Sequence, residues 1–176
     1  MKITDLTAEA YRWPQPTPIR TGQYTFAETR AAVIRVRTDE GLEGIGLLYT
    51  SRTPGGEKAI PALVEGLRPA VVGRDPFDVE AIWADLWQPT LVGRRGLTTR
   101  VISGIDTAIW DIKGKAAGLP LFKLLGGYTN RVPVYIAGGY YVEGKGLKEL
   151  AAEMETNADP RRVHLSARPA RAGHGN

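Results

Sequence analysis

The sequence contains no cysteine among its 176 residues, so it can form neither disulfides nor metal sites built on thiolates. It also has no apolar run near the roughly 18 residues that a membrane-spanning helix requires. The acidic, alternating N-terminus is unlike a signal peptide. From these absences we expect a cytoplasmic protein that has no membrane partner.

Most of the chain also has no excess of basic over acidic residues. The net charge is +4, and residues 157–176 supply +3 of it through four arginines and one aspartate. The rest of the chain is therefore close to neutral, whereas a nucleic-acid-binding domain would show a basic face. We expect no nucleic-acid partner. Nonspecific binding by arginines of the tail is the alternative, with Arg161, Arg162, Arg168 and Arg171 as the residues concerned.

The N-terminal third alternates apolar and polar residues as strands do. Ile3–Tyr11 predicts a first strand, and Ala32, Ile34 and Val36 share one face of a second. The turn Asp39-Glu40-Gly41 returns the chain into a third strand, Leu42–Tyr49. We therefore predict a three-stranded antiparallel sheet. Two loops interrupt it, the proline-rich segment Trp13–Phe26 and the segment Ser51–Gly56.

Three helices are predicted after the sheet. Glu57–Leu67 has a helical apolar stripe, and Pro61 is acceptable there only in the first turn. Asp75 as N-cap and Pro76 at the first position predict the start of a second helix. Its predicted buried face is Val79, Ile82, Trp83 and Leu86.

The third helix begins near Thr98 or Thr99 and ends at Gly118 and Pro120. Its buried stripe is predicted from helical spacing as Val101, Ile102, Ile105, Ala108, Ile109, Ile112 and Ala116. Its charged residues admit two interpretations, acid–base catalysis or helix packing with surface pairing. Spacing favours the second, because Asp111 and Lys115 form an i,i+4 pair. The residues concerned are Asp106, Asp111, Lys113 and Lys115.

Beyond Arg131 the chain reads as one strand and one helix, followed by a change in composition. Val132–Ala137 is apolar on both faces, which is typical of a buried parallel strand. Gly146–Thr156 predicts a helix with Leu147, Leu150, Ala151 and Met154 turned inward. Residues 157–176 have no apolar period and predict a disordered basic tail.

Several segments together resemble one known family in their order. The stretch Gly104–Gly127, GIDTAIWDIKGKAAGLPLFKLLGG, closely resembles a signature of the mandelate racemase/muconate lactonizing enzyme family of the enolase superfamily. The segments VRTDEGLEGIG, GRDPFDVEAIWADLW and VPVYIAGGYY agree with that family in the same order. One departure is Leu47, where many relatives carry Glu after the Gly-x-Gly of Gly44 and Gly46.

The resemblance implies an α+β fold, a three-stranded antiparallel sheet followed by a helical bundle, with a fragment of a TIM barrel. We expect an enolase-like capping domain over 1–127, a first βα unit of an incomplete barrel over 128–156, and a disordered tail over 157–176. In the family, the barrel holds Mg²⁺ on three carboxylates, and bases abstract the proton α to a substrate carboxylate. No residue of this chain matches a metal ligand or a catalytic base of that pattern. We therefore expect no metal on this chain, and the tail resembles a frameshifted or replaced end.

The resemblance also assigns a role to two loops, Trp13–Phe26 and Tyr49–Glu57, which in relatives fold over the barrel mouth and select the substrate. The residues that this implies are Arg20, Tyr24, Phe26, Tyr49, Ser51 and Arg52. Arg20 could meet a carboxylate, and the aromatic side chains could wall the pocket. The alternative is an ordinary surface loop.

Two other patterns favour ordinary structure. Gly41, Gly44 and Gly46 have G-x-x-G-x-G spacing with no helix after them, which favours a hairpin over a nucleotide-binding loop. His164 and His174 are too far apart in the tail for a metal site.

Two functions remain open from the sequence. The first is a capping and substrate-specificity domain of a mandelate racemase-like, Mg²⁺-dependent enzyme, inactive as this chain. That enzyme would act on a small carboxylate or acid sugar as a racemase, cycloisomerase or dehydratase. The second is a non-enzymatic binding or oligomerisation module, with a homo-oligomer as the partner.

Overall fold

The computed structural model describes residues 1–49, 55–87, 96–132, 134 and 136–158. The chain runs through β1 (Ile3–Arg20), β2 (Thr25–Thr38) and β3 (Glu43–Tyr49), and then through α1 (Gly56–Leu67) and α2 (Val79–Trp87). It continues into α3 (Leu97–Ala117), α4 (Leu121–Leu124) and α5 (Leu147–Ala158). The predicted α+β order of a sheet followed by helices is confirmed.

The three strands form one sheet in the order β1-β2-β3. β2 and β3 are antiparallel, with Val33 opposite Leu47 and Arg35 opposite Ile45. Alternation sends Ile34 and Val36 of β2 to the helix side, where both are fully buried. The predicted antiparallel sheet and its buried face are confirmed.

The predicted loop Trp13–Phe26 is wrong, because most of it is strand. β1 continues to Arg20, and only Thr21–Tyr24 separate it from β2. The prolines do not break β1, since Pro14, Pro16 and Pro18 are two residues apart and their missing N–H groups all fall on one side. β1 is an edge strand, so that side needs no ladder partner.

The helix starts differ from the prediction at two prolines. Pro61 lies inside α1 rather than in its first turn, so the Glu57 carbonyl has no helical N–H to accept. α2 begins at Val79, three residues after Pro76. The Asp75 side chain accepts the Phe77 N–H at 2.9 Å and so closes a turn before the helix instead of capping it.

Helix α3 forms the centre of the core. Six residues of its predicted stripe are buried, at 0% to 3% exposure: Val101, Ile102, Ile105, Ala108, Ile109 and Ile112. The predicted burial of Ala116 is wrong, because the last turn of the helix is exposed from Lys115 onward. Gly118 ends the helix in the left-handed conformation at φ 62°, as predicted. The predicted burial of Trp83 on α2 is wrong, since it is 40% exposed and stacks on Trp87 at 5.2 Å between ring centroids.

Two glycines of β3 let α3 approach the strand at main-chain distance. A Cβ atom on Gly46 would lie 1.9 Å from the Gly104 carbonyl oxygen, and one on Gly44 would lie 1.9 Å from that of Ala108. Real Cβ contacts are never this short, so only glycine fits at either position. These glycines therefore lie in the predicted hairpin and also allow the helix to pack closely against it.

The described chain divides into two compact units. The first contains Met1–Trp13 with Glu28–Leu121, and the second contains Pro14–Ala27 with Phe122–Asn176. The whole core around α3 belongs to the first unit.

The second unit differs from the sequence prediction in its burial. At the described positions of the predicted strand Val132–Ala137 no ladder forms, and Val132 is 72% exposed. The predicted helix is present as α5, but none of its residues is buried and Leu147 is 86% exposed. A strand of this composition needs neighbours on both sides, and the described residues of the unit provide none.

Candidate functional site

The hairpin between β1 and β2 carries three of the predicted specificity residues. The Thr21 N–H donates to the Tyr24 carbonyl at 2.8 Å, and the Thr21 hydroxyl accepts the Tyr24 N–H at 3.1 Å. These bonds fix the four-residue turn beside Arg20. Tyr24 and Phe26 pack their rings at a centroid distance of 6.2 Å. The second unit therefore brings Arg20, Tyr24 and Phe26 to one hairpin tip.

The Arg20 guanidinium is exposed and has no ion-pair partner within the described ranges. Its main chain is held, because the Arg20 carbonyl accepts the Tyr141 N–H at 3.2 Å. Arg20 and Tyr141 form an isolated antiparallel bridge. The fixed backbone and the available guanidinium suit the binding of a carboxylate, which arginine can grip with two parallel N–H donors.

A cleft of about 500 Å³ lies beside the same edge of β1, within the second unit. Its walls include Pro18 and Ile19 on one side and Val142 and Lys145 on the other. Lys145 is ion-paired with Glu153 of α5, and its ammonium donates to the Tyr140 carbonyl at 3.0 Å. Sequence reasoning missed this cleft, because its two walls are more than a hundred residues apart.

Glu153 is the most constrained carboxylate of that cleft. Lys145 lowers the pKa of Glu153 most strongly, and the Gly139 N–H, donating at 3.1 Å, lowers it further. Glu153 therefore stays ionised and paired, so it acts as a brace for the turn before α5 and is not available as a base.

Tyr49, Ser51 and Arg52 are the remaining predicted specificity residues. Tyr49 belongs to the first unit, where it is 54% exposed at the end of β3. Its carbonyl accepts a 2.7 Å hydrogen bond from the Arg100 guanidinium of α3. Ser51 and Arg52 lie outside the described residues. The specificity role of all six residues stays a prediction.

Asp111 and Lys115 of α3 make structural contacts. Asp111 accepts the Ile45 N–H at 2.9 Å, and Lys115 donates to the Glu43 carbonyl at 2.6 Å. The two side chains also pair with each other at 2.8 Å. They therefore bind main-chain groups along the outer edge of β3, which agrees with the packing interpretation of these residues.

Asp106 lies in a smaller cleft of about 250 Å³ in the first unit, together with Glu80, Trp83 and Trp110. Partial burial raises the pKa of Asp106, and the nearby negative charge of Glu80 raises it further. Lys113 opposes this shift. The Lys113 ammonium itself lies 3.9 Å from the centre of the Trp110 ring, a cation–π contact.

A magnesium site requires several oxygen ligands that converge. No group of three or more His, Asp or Glu residues within the described ranges could hold a metal ion. The described residues therefore do not fit a magnesium site, and no catalytic step of a metal can be assigned to them. His164 and His174 lie outside the described residues.

No described helix is long and apolar enough to cross a bilayer.

Comparison with known proteins identifies the relatives of this arrangement. The sequence model of the mandelate racemase/muconate lactonizing enzyme N-terminal domain matches residues 3–126. Arabinonate dehydratase of Saccharolobus solfataricus is 41% identical over 120 residues, which are 67% of this chain and 31% of that protein.

Two solved structures have the same fold over most of this chain. A member of the enolase superfamily from Polaromonas sp. JS666 is 35% identical with a TM-score of 0.75, over 89% of this chain and 41% of that one. L-Talarate dehydratase from Polaromonas sp. JS666, complexed with Mg and L-glucarate, is 30% identical with a TM-score of 0.73, over 88% of this chain and 43% of that one. The chain thus spans between about a third and two fifths of the length of these relatives.

Proposed function

Because this chain belongs to the mandelate racemase/muconate lactonizing enzyme family, we propose that it is the capping domain of a Mg²⁺-dependent enzyme acting on acid sugars. In that enzyme it selects the substrate and leaves the abstraction of the proton α to the carboxylate to other residues. The observation that carries the proposal is the exposed Arg20 guanidinium at a hairpin tip, which has no ion-pair partner among the described residues. Arg20 is a recognition group for an anion.

The chemistry of the relatives supports a carboxylate as that anion. Arabinonate dehydratase is named for an acid sugar, and the Polaromonas L-talarate dehydratase was solved with L-glucarate. Such substrates present carboxylates and hydroxyl groups. Arg20 can bind a carboxylate, and the paired rings of Tyr24 and Phe26 can exclude water from one side of it.

The surroundings of the acidic and basic side chains in the described ranges support the division of labour. Asp111 and Lys115 bind the edge of β3, and Glu153 is held ionised by Lys145. Asp106 has a raised pKa and shares its cleft with Glu80, Trp83 and Trp110. Two carboxylates are too few for a metal centre, and no group of three or more metal-ligating side chains exists among the described residues. None of these side chains is arranged to abstract a proton from carbon.

A domain exchange tests the proposal. Residues 1–127 of this chain would replace the matching N-terminal region of the Polaromonas L-talarate dehydratase. We expect the hybrid to keep Mg²⁺-dependent turnover of acid sugars and to change its order of preference among them. A hybrid that folds, binds Mg²⁺ and retains the parental substrate preference would contradict a role in selection.

Arg20→Ala in the hybrid tests the assigned residue. Removing a charge-assisted pair should raise KM about 10- to 100-fold with a smaller change in kcat. Arg74→Ala is the matched control, because Arg74 is a part-exposed arginine paired with Asp85 at 2.7 Å at the start of the α2 region. Equal effects of the two substitutions on KM would remove Arg20 from the proposed site.

A non-enzymatic binding or assembly module is the second candidate. It is supported by the exposure of Val132, Val134 and Ile136, which reaches 72%, 42% and 44% in a segment of strand-like composition. Apolar side chains exposed in this way mark surfaces that another polypeptide covers. An inactive hybrid, together with a stable complex between this chain and another protein through that segment, would favour this candidate.

A further inference from the structure

Helices α2 and α3 pack against each other, and each contributes the same kind of side-chain pair to a cleft, which we call the α2–α3 cleft. On α2 the pair is Glu80 and Trp83, three residues apart, and on α3 it is Asp106 and Trp110, four residues apart. Residues at these spacings are neighbours on a helix surface. Two carboxylates and two indole rings therefore line a volume of about 250 Å³.

The two carboxylates of the cleft are near each other and lack a counterion. The negative charge of Glu80 adds to the effect of burial in raising the pKa of Asp106. Within the described ranges, neither side chain takes part in an ion pair or a hydrogen bond. Two like charges that share a site disfavour each other, and a cation between them favours their ionised forms. The fold thus retains an unfavourable pair that a bound cation would stabilise.

The indole rings favour a cation independently of the carboxylates. Trp110 already contacts one in this structure, because the Lys113 ammonium lies 3.9 Å from the centre of its ring. Lys113 is not among the four residues that line the cleft. Trp83 is held by stacking on Trp87 and is 40% exposed. Indole is the side chain whose face attracts cations most strongly.

The combination of carboxylates and rings favours a guanidinium group over other cations. A metal ion needs more oxygen ligands than two side chains supply, and an ammonium is a compact, strongly hydrated charge. A guanidinium is planar and more weakly hydrated, stacks on aromatic faces and carries five N–H donors. Such a group can lie on an indole ring and donate to two carboxylates together.

The size of the cleft agrees with a head group of this kind. Sites for drug-sized ligands have volumes of about 300–1,000 Å³, whereas this cleft has about 250 Å³. It therefore suits a small planar cation with a short alkyl stem.

We propose that the α2–α3 cleft binds a guanidinium cation between Glu80 and Asp106, against the rings of Trp83 and Trp110. The cation belongs to a free small molecule or to an arginine side chain of another polypeptide, since both present the same group. The site lies in the first unit and shares no residue with the hairpin that carries Arg20. This inference is therefore independent of the proposed capping function.

NMR titration of the full chain with ethylguanidinium chloride at constant ionic strength tests the site. We expect the indole N–H signals of Trp83 and Trp110 to shift with a Kd of about 1–10 mM, while that of Trp13 stays in place. Ethylammonium chloride is the matched ligand and should bind at least about fivefold more weakly. No shift of the two signals at 50 mM ethylguanidinium, or equal affinity for ethylammonium, would overturn the proposal.

A short peptide distinguishes the two sources of the cation. Acetyl-Gly-Arg-Gly-amide presents the same guanidinium group on a polypeptide. Binding at least about tenfold tighter than that of ethylguanidinium would assign the site to an arginine of a partner. Equal or weaker binding would assign it to a free small molecule.

Substitutions test the assigned residues. Glu80→Gln and Asp106→Asn should each raise the Kd for ethylguanidinium at least about fivefold, because each removes one charged acceptor. Asp85→Asn is the matched control, since it makes the same change of charge on α2 at a carboxylate that pairs with Arg74 outside the cleft. Lys113→Met should act in the opposite direction and lower the Kd about twofold, because it removes a positive charge near Asp106.

Circular dichroism melting would establish that all four variants fold. Wild-type affinity in both Glu80→Gln and Asp106→Asn would overturn the proposal. An equal loss of affinity in Asp85→Asn would also contradict it, because binding would then follow the net charge of the chain and not the cleft.

Discussion

At the scale of single residues, the glycines of β3 decide how closely the central helix can pack. Gly44 and Gly46 face main-chain atoms of α3, with the carbonyl oxygen of Gly104 1.9 Å from a Cβ built on Gly46. Sequence spacing alone indicates a hairpin there, and it does not reveal that a helix some sixty residues later lies against the strand. The contact becomes visible only when both elements are placed together.

Gly46→Ala is expected to lower the free energy of unfolding by about 1–3 kcal/mol, because the helix backbone must shift to admit a methyl group. Thermal and urea unfolding would measure the loss. Gly66→Ala is the control, since Gly66 lies within α1 and a Cβ there meets nothing within 4 Å. That substitution should instead raise the free energy of unfolding by about 0.5–1 kcal/mol. Similar losses for both variants would refute the close approach.

Asp106→Asn is expected to stabilise the protein at pH 7. Burial and Glu80 raise the pKa of Asp106 in the fold, so its ionised form is disfavoured there relative to the unfolded chain. The gain of the variant should be largest above the raised pKa and should vanish below about pH 3, where the carboxyl is protonated in both states. Because Asp106 is largely solvated, the Tm should rise by no more than about 2 °C.

Glu43→Gln provides a control of opposite sign. Arg35 is the main cause of the lowered pKa of Glu43, and Arg37 adds to it. The carboxylate therefore stabilises the fold above its ordinary pKa, and this contribution is lost as the pH falls through the lowered value. Glu43→Gln should lower the Tm at pH 7, and its difference from the wild type should shrink as the pH falls below the ordinary pKa of a glutamate. If both variants shift the Tm in the same direction at pH 7, the assignment of these pKa shifts is wrong.

At the scale of elements, the two edges of the sheet are protected in different ways. β1 carries prolines at every second position from 14 to 18, which removes donors from one side. β3 has no proline, and the side chains of Asp111 and Lys115 occupy its free groups instead. The Asp111–Lys115 pair of α3 thus covers hydrogen-bonding groups at the free edge of β3.

Asp111→Ala is expected to expose the edge of β3. The loss of the bond to the Ile45 N–H and of the pair with Lys115 should cost about 1–2 kcal/mol. Hydrogen exchange at the Ile45 amide should become at least about tenfold faster. Asp85→Ala removes an exposed pair with Arg74 and should change stability by less than about 0.5 kcal/mol. Unchanged protection of Ile45 in Asp111→Ala would show that the edge bond contributes nothing.

The sequence predicts most of the elements, and the errors have definite physical causes. Periodicity correctly predicts six of the seven residues of the α3 stripe because these six face one core, whereas Ala116 lies in the exposed last turn. The hairpin Trp13–Phe26 is missed because proline composition says nothing about edge position in a sheet. Trp83 is misplaced because apolar spacing does not distinguish core burial from stacking on Trp87. The helix start at Pro76 is misplaced because the Asp75 side chain closes a turn there. The position of Pro61 is misjudged because α1 already begins at Gly56.

Much less of the candidate site is predictable from the sequence. Arg20, Tyr24 and Phe26 come together because they are close in the chain, and local reasoning is sufficient for that. Lys145 and Glu153 are not found, since their cleft joins them to Pro18 and Ile19 from the opposite end of the chain. Only tertiary structure can show such a juxtaposition.

At the scale of the whole molecule, the two units differ in how well they are packed. α3 buries nine residues in the first unit, whereas α5 of the second unit buries none. The domain boundaries at 127 and 156, like the disordered tail, stay predictions, and residues 159–176 lie outside the described residues.

This contrast predicts two levels of local stability. Amide protons of α3 should exchange only through global unfolding. Those of α5 should exchange through local openings whose free energy is at least several kcal/mol lower, because few apolar contacts hold that helix in place. Native-state hydrogen exchange in low concentrations of urea measures both. Equal protection of the α3 and α5 amides would contradict this prediction, because it would mean that α5 is covered in solution.

The contact between Gly46 and Gly104 also limits how this fold can change during evolution. A clash between two side chains can be relieved by a second substitution that makes one of them smaller. Here the obstructing atom is a carbonyl oxygen, which every residue at position 104 would carry. No suppressor mutation on the helix can therefore rescue a larger residue at position 46, and a genetic screen for one should return only true revertants.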